Sequence, residues 1–409
     1  MAKICLIREW YYPVDERVNR EIDALVRAGH EVDIVCAAAP GQRHFERTGP
    51  VTVYRMPISR RRAGLLRYIY EFVAFQIVAT LFAGALHLRR RYDIVQVNSL
   101  PDWLVFAAVL PRLLGARVLL DLHECMPEYT ATKTRLSLRH PLVRFVAFLE
   151  QMSIAFADQV LTCTEQMRER FIERGARADK IGVALNSFDE ERLDPRRYWS
   201  TEGSKDHFVL VCHGTVDENY GIDIIVRAVA LLRDSIPTLR LEIYGEGRHR
   251  VALEALARDL GVADQVYFSK GFLPIDELLP RIAAADAGVV AIRRDAFRDL
   301  THCNKMYDLI AMRKPVIISR TRAVQAYFGD DCFVMFESGD ERDLARAITE
   351  LYRDPLLRER LVRRATEVAE PYRWVHQRQR YLEIVDRLLP KAGARAQGPV
   401  VVAGGVEES

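Results

Sequence analysis

Short aliphatic and β-branched runs alternate with amphipathic stretches along nearly the whole chain. In the first half the runs are KICLIRE, EVDIVCA, VTVYRMP, DIVQVNS, ARVLLDLHE, QVLTCTE and IGVALNS. In the second half they are FVLVCHG, RLEIYGEG, VYFSKG, AGVVAIRR, PVIISR and CFVMFE. Most are continuously apolar rather than alternating, the pattern of parallel strands covered on both faces. Between many of them lie helical patterns such as ERVNREIDALVRAGH, which Gly29 closes as a helix stop. This predicts an α/β protein of two doubly wound, Rossmann-like domains.

The boundary is legible. Residues 189–206 (DEERLDPRRYWSTEGSKD) have no periodicity and carry Pro195, Gly203 and Ser204, which marks a linker. The expected domains are therefore 1–188 and 207–370. An amphipathic helix over 371–390 and a Gly- and Ala-rich tail follow. Two such domains are expected to turn their strand C-termini toward a common cleft, where open α/β sheets bind ligands. The polar residues at those ends are Glu9, Asn98, His123, Glu124, Asn186, His213, Gly214, Gly245, Glu246, Gly247 and Arg293 onward.

A length of 409 residues suits two domains, and 49% hydrophobic residues supply a sizeable core. The net charge of +3 gives no footing for a nucleic-acid partner. Seven cysteines, no two closer than 29 positions, exclude Cys-x-x-Cys zinc and redox motifs and read as reduced thiols in a cytoplasmic protein. The first apolar run, Ile4 to Ile7, stops at Arg8-Glu9, unlike a signal peptide.

One window departs from this balance. Arg60, Arg61, Arg62, Arg67, Arg89, Arg90 and Arg91 face a single acid, Glu71, between Ser59 and Tyr92. Between the clusters runs IYEFVAFQIVATLFAGALHL, long enough to span a bilayer but interrupted by Glu71, Gln76 and His87. Two readings follow: a helix apolar all round and buried in the domain, or a helix resting on an anionic membrane face.

No Gly-x-Gly-x-x-Gly follows the first strand, and neither a P-loop nor an Asp-x-Asp pair is present. A phosphate ligand would need backbone amides, helix N-termini and cationic side chains. Strand-turn-helix segments at HGTVDENYGIDIIV and YGEGRH provide glycines where backbone approaches a ligand. The richest segment is VVAIRRDAFRDLTHCNKMYDLIAMRKPVIIS. There Lys305 and Asp308 share one helix face, suited to a diphosphate and to ribose hydroxyls respectively, or else to a local ion pair.

With these residues in view the chain resembles the retaining GT-B glycosyltransferases of family 4, from Ile4 to about Leu389. PVDERVNREIDALVRAGHEVDIV is similar to the family's Asp-x-Arg-Val and Ala-Gly-His-Glu-Val stretch. DIVQVNSLPD followed by LLDLHECMPEY resembles bacterial polysaccharide-assembly members. ADQVLTCTEQMRERFIERGARADKIGVALNSFD is similar to the interdomain approach, and KMYDLIAMRKPVIIS to the segment Lys-x-x-Glu-Tyr-Met-Ala-x-Gly-x-Pro-Val.

The resemblance implies that Asp308 binds the nucleotide ribose and Lys305 the diphosphate. It implies that backbone from Thr301 to Asn304 faces the leaving phosphate, and that Gly214, Thr215, Gly245, Gly247 and Arg293 contribute to the donor site. It makes His123, Asp299 and Lys305 the catalytic residues, and Glu124, Glu128 and Asn98 the acceptor side. The family's Glu-x7-Glu pair falls on Leu300 and Asp308, leaving Asp299 or Asp295 to replace the first acid. The family's basic pair falls near Asn219 and Tyr220, so Lys305 with Arg293, Arg294 or Arg313 is expected to take up that charge.

The activity implied is metal-independent transfer of a sugar, with retention, from a UDP- or GDP-sugar. The acceptor implied is a lipid-linked saccharide at the inner face of the cytoplasmic membrane, and no cofactor is required. The rivals are a GT-B sugar-nucleotide 2-epimerase and a catalytically degenerate scaffold subunit.

Overall fold

The structure, a computed structural model, describes residues 1–58, 64–198 and 206–389. Eight strands build the first sheet: β1 (Lys3–Tyr11), β2 (Glu31–Ala37), β3 (Phe45–Thr48), β4 (Val51–Met56), β5 (Ile94–Asn98), β6 (Arg117–Leu122), β7 (Gln159–Thr162) and β8 (Ile181–Val183). Their order is β3-β4-β2-β1-β5-β6-β7-β8. The pairs β1–β2, β1–β5, β2–β4 and β5–β6 are parallel, and Ile7 sits between Val35 and Val97. The edge strand β3 pairs antiparallel with β4. Its FERT sequence is exposed throughout, so it lacks the apolar run by which the others are recognised.

The second sheet holds β9 (Phe208–His213), β10 (Leu239–Tyr244), β11 (Val266–Phe268), β12 (Ala287–Val290), β13 (Val316–Ser319) and β14 (Val334–Phe336). All its pairs are parallel, in the order β11-β10-β9-β12-β13-β14. Leu210 joins a core cluster with Ile225, Val229, Leu344 and Ile348, whereas Val209 and Val211 join another with Leu309, Ile310 and Phe328. Successive residues of one strand thus enter opposite hydrophobic layers, which is why the run is unbroken.

Local signals place the helices. Asp15 caps the helix Glu16–Arg27 by accepting from the Arg17 and Val18 amides. Val18, Ile22 and Leu25 form its buried stripe, and Gly29 ends it at φ +82°. The chain divides into two compact units: Met1–Leu122 with Met152–Leu161 and the stretch from Tyr381, and His123–Gln151 with Thr162–Arg380.

From Tyr70 onward the helix Gly64–Arg90 departs from one of its two readings, burial on all sides. Glu71, Phe72, Phe75, Ala79, Ala83, Leu86 and His87 are buried on one face. Tyr70, Val73, Ile77, Val78, Leu81 and Leu88 lie exposed on the other. Glu71 therefore faces protein. At the helix's C-terminal part Gly84 admits the Leu110 side chain, where a Cβ would lie 2.7 Å from it. Leu110, Leu113 and Leu114 add to the exposed apolar surface there.

A polar cluster sits at the centre of the first unit. The Arg17 guanidinium donates to both Asp121 oxygens at 3.0 and 2.7 Å and pairs with Glu21 at 3.2 Å. Asn98 donates to Glu21 and Asp121, Gln96 to Glu21, and the Tyr381 hydroxyl to Gln96 at 2.6 Å. Burial and the Asp121 charge push the Glu21 carboxyl up, against the opposing pull of Arg17.

Candidate active site

In the second sheet the chain leaves β9 toward β10 and β11, then returns to place β12 on the other side of β9. The strand C-termini at that reversal form the crevice in which open α/β sheets bind ligands. His213-Gly214 ends β9, and the loop after β12 crosses it, with the Arg293 amide donating to the Asn219 carbonyl at 3.1 Å. Gly221 (φ +59°) is required there, because a Cβ would lie 1.9 Å from the Ala291 carbonyl oxygen.

The helix Asn304–Ala311 follows this loop and packs closely on β12: a Cβ on Gly288 would lie 2.3 Å from Leu309 methyl carbons. Its N-cap, Cys303, makes no side-chain capping bond. Asp308 projects from the helix toward β9, where the buried His213 Nε2–H donates to Asp308 Oδ2 at 3.0 Å. The Asp308 side chain is 33% exposed, enough for a ligand to reach it.

Lys305, one turn earlier, does not pair with Asp308. Its Nζ is 3.5 Å from the Thr215 carbonyl oxygen and 4.1 Å from the Tyr220 ring centroid. Its Cε would be 2.8 Å from a Cβ on Gly214 (φ +92°), so only glycine leaves the lysine this path. Gly245 and Gly247 serve the backbone: a Cβ on them would lie 1.8 Å from the Gly214 oxygen and 1.9 Å from the Val216 oxygen. Gly214, Thr215, Gly245, Lys305 and Asp308 are thus gathered at the ends of β9 and β10.

The loop before the helix is tightly held. Asp295 accepts from the Phe297 and Arg298 amides, and Asp299 accepts from Arg294 Nε at 2.9 Å and the Arg322 amide at 3.0 Å. Both acids suggested as substitutes at the Leu300 position therefore have loop-fixing partners. Leu300 itself is buried, and its carbonyl accepts from the Thr164 hydroxyl at 2.6 Å. Arg293 is ion-paired with Asp223 at 2.5 Å, Arg294 with Asp299, and Arg313 lies beyond the far end of the helix at φ +53°. None of the three joins Lys305 at Tyr220. Thr301 Oγ1 is buried without a hydrogen-bond partner among the described residues, and Asn304 is exposed at the helix start.

His123 and Glu124 occupy the turn after β6, half-buried, and the Glu124 charge acts on Arg298. Two acceptor-side expectations meet a different structure. Glu128 is buried and paired with Arg174 and Arg170, with Arg174 also binding Glu150 at 2.8 Å. Asn98 is wholly buried in the polar cluster of the first unit. Both side chains are consumed by internal partners, because a buried charge or amide must be matched inside the protein.

Of the basic window, Arg60, Arg61 and Arg62 lie outside the described residues, as does the Arg67 side chain. Arg89 is exposed, whereas Arg90 pairs with Glu31 and Asp33 at 2.8 and 3.0 Å. Arg91 lines a cavity of about 550 Å³ with Arg117 and Arg387.

A doubly wound sheet with a carboxylate, a lysine and close-approach glycines at its switch point defines a nucleotide-dependent α/β enzyme class. Comparison with known proteins narrows it. Residues 14–186 match the family described as Glycosyl transferase 4-like domain, and residues 207–354 match Glycosyl transferases group 1. The chain belongs to the GT-B glycosyltransferases.

It is 24% identical to a GDP-mannose-dependent alpha-(1-6)-phosphatidylinositol dimannoside mannosyltransferase of Mycobacterium tuberculosis, over 90% of this chain and 92% of that one. It is 31% identical to the lipopolysaccharide core biosynthesis glycosyltransferase LpsE of Rhizobium meliloti, over 39% of this chain and 44% of that one. The structure of Anabaena HepE in complex with UDP-glucose superposes with a TM-score of 0.70 at 17% identity, covering 95% and 100% of the two chains. That likeness speaks for the fold.

Sequence reasoning left three residues out of the site. His213 was visible as a strand-end polar residue, and Tyr220 only as a position without charge. Arg298 had no signal, being one of three arginines in six residues of loop.

Proposed function

We propose that the chain transfers a glycosyl group, with retention, from a UDP- or GDP-sugar to a lipid-linked saccharide during assembly of a bacterial cell-surface glycan. The observation that carries this reading is the partly exposed Asp308, oriented by His213, one turn from a Lys305 that has no carboxylate partner. The carboxylate accepts ribose hydroxyls, and the lysine meets the diphosphate at the helix start. The reaction proceeds on one face of the sugar, and the leaving phosphate takes the acceptor's proton. His123 stands beside the donor sugar. Catalysis then rests on stabilising the departing diphosphate, with side chains and backbone in the role a divalent cation would otherwise fill.

The relatives' names support the donor and acceptor classes, since one uses GDP-mannose on a phosphatidylinositol mannoside and another builds lipopolysaccharide core. Peripheral contact with the inner face of the cytoplasmic membrane is supported by the exposed apolar face of the helix Gly64–Arg90. The helix Pro141–Phe156 supports it too, exposing Leu142, Phe145, Phe148 and Met152 along one stripe. Lys133, Arg135, Arg139 and Arg144 accompany that stripe, with no exposed acid between residues 129 and 149. Basic and aromatic residues together suit an anionic lipid surface. Leu300, apolar and buried where the family has an acid, favours the rival reading of a degenerate scaffold.

Thermal shift separates the two. Melting is followed with UDP, GDP, ADP, TDP and CMP, with and without magnesium, on the native chain and on Asp308→Ala. The transferase reading expects stabilisation by one nucleoside diphosphate, independent of magnesium and lost in the variant. No shift with any nucleotide favours the scaffold.

A further inference from the structure

Lys305 is not the only cation directed at Tyr220. The Arg298 guanidinium carbon lies 5.1 Å from the same ring centroid, and 5.3 Å from that of Phe297. The two charges thus lie within about 9 Å of each other beside one aromatic ring. Neither forms a salt bridge among the described residues; the acid nearest in effect to Arg298 is Glu124, which acts on it without an ion pair. Most other arginines around this loop are neutralised, Arg293 by Asp223 and Arg294 by Asp299.

The loop fixes Arg298 rather than letting it drift. Asp295 holds its amide at 2.7 Å, and Phe297 beside it is buried, with its ring edge-to-face on Tyr129 at 5.4 Å. Thr164 clamps Leu300 two residues on. Two like charges held near each other with no ion-paired acid repel, and ring contact offsets only part of that repulsion. An anion with two charged centres relieves it, and a planar guanidinium with an ammonium suits adjacent phosphates.

We propose that Arg298 is the second cation of the donor site: with Lys305, beside Tyr220, it binds the diphosphate of the nucleotide sugar. This rests on the donor reading above and assigns the charge that Arg293, Arg294 and Arg313 do not bring. Tyr220 is the ring that both cations contact.

The test is calorimetric titration of the native chain, Arg298→Gln and Arg298→Lys with a nucleoside diphosphate, the matching monophosphate, the nucleoside and inorganic pyrophosphate. Arg298→Gln is expected to weaken diphosphate and pyrophosphate binding by roughly 10–50-fold while leaving the nucleoside unchanged, the scale of one charge-assisted contact. Arg298→Lys should recover part of the loss, and raised salt should narrow the gap. Equal losses for nucleoside and diphosphate would assign Arg298 a packing role and overturn the proposal. Unchanged diphosphate binding overturns it while the donor reading stands. A native chain that binds neither diphosphate nor pyrophosphate overturns both.

Discussion

At the residue scale the site depends on who holds each ionisable group. Asp308 is aimed by His213, so its carboxylate needs no ligand to stay in place. Nearby His302 shows the opposite use of a histidine. It accepts from the Tyr307 hydroxyl at 2.8 Å and donates to the Ala323 carbonyl at 3.1 Å, and burial pushes its pKa down to about 4. Unfolded, it titrates near 6.5, so the stability it contributes is present above that pH and lost as the pH falls toward 4. We expect this to cost roughly 2–3 kcal/mol across that window. Chemical denaturation at pH 7.5 and 4.5 should show His302→Gln losing much less stability on acidification than the native chain. The same slope in both would assign the acid sensitivity to other groups.

At the element scale, the helix Gly64–Arg90 illustrates how much a periodicity can hide. Apolar residues cover both of its faces, so the sequence pattern has no direction; only packing shows that Phe72, Phe75 and Ala79 face inward and Ile77 and Leu81 outward. The outward face provides a variant that should spare the core. Ile77→Asn with Leu81→Asn should keep the melting temperature and nucleotide binding while lowering sedimentation with anionic liposomes several-fold, because each buried side chain removed forfeits roughly 1.5–3 kcal/mol. Arg89→Gln should weaken the same binding mainly at low salt. Liposome binding that is indifferent to all three changes would remove this helix from the membrane reading.

The scale of the whole molecule brings in the buried polar cluster of the first unit. Arg17, Glu21, Gln96, Asn98, Asp121 and Tyr381 come from four separate stretches of chain, and each satisfies another. Arg17→Leu would leave Asp121 buried without its bidentate partner. We expect a loss of roughly 3–5 kcal/mol in denaturant unfolding, against about 1 kcal/mol for Tyr381→Phe, which forfeits one hydrogen bond. Comparable small losses in both would mean that water or other groups replace Arg17.

Much of this molecule is written locally. Parallel strands buried on both faces are mostly apolar without interruption, so thirteen of the fourteen strands among the described residues stand out in the sequence, and exposed β3 does not. Lys305 and Asp308 share a helix face by spacing alone, and glycines at strand ends announce close backbone approach. Which charges remain for a ligand is another matter. Arg293, Arg294, Asp299 and Glu128 resemble site residues in composition, yet each has an internal partner, while Arg298 reaches Tyr220 from 78 positions away. Spacing along a chain reports neighbours on one element. Neutralisation depends on what the fold brings within a few ångströms from elsewhere, and that only the tertiary structure decided.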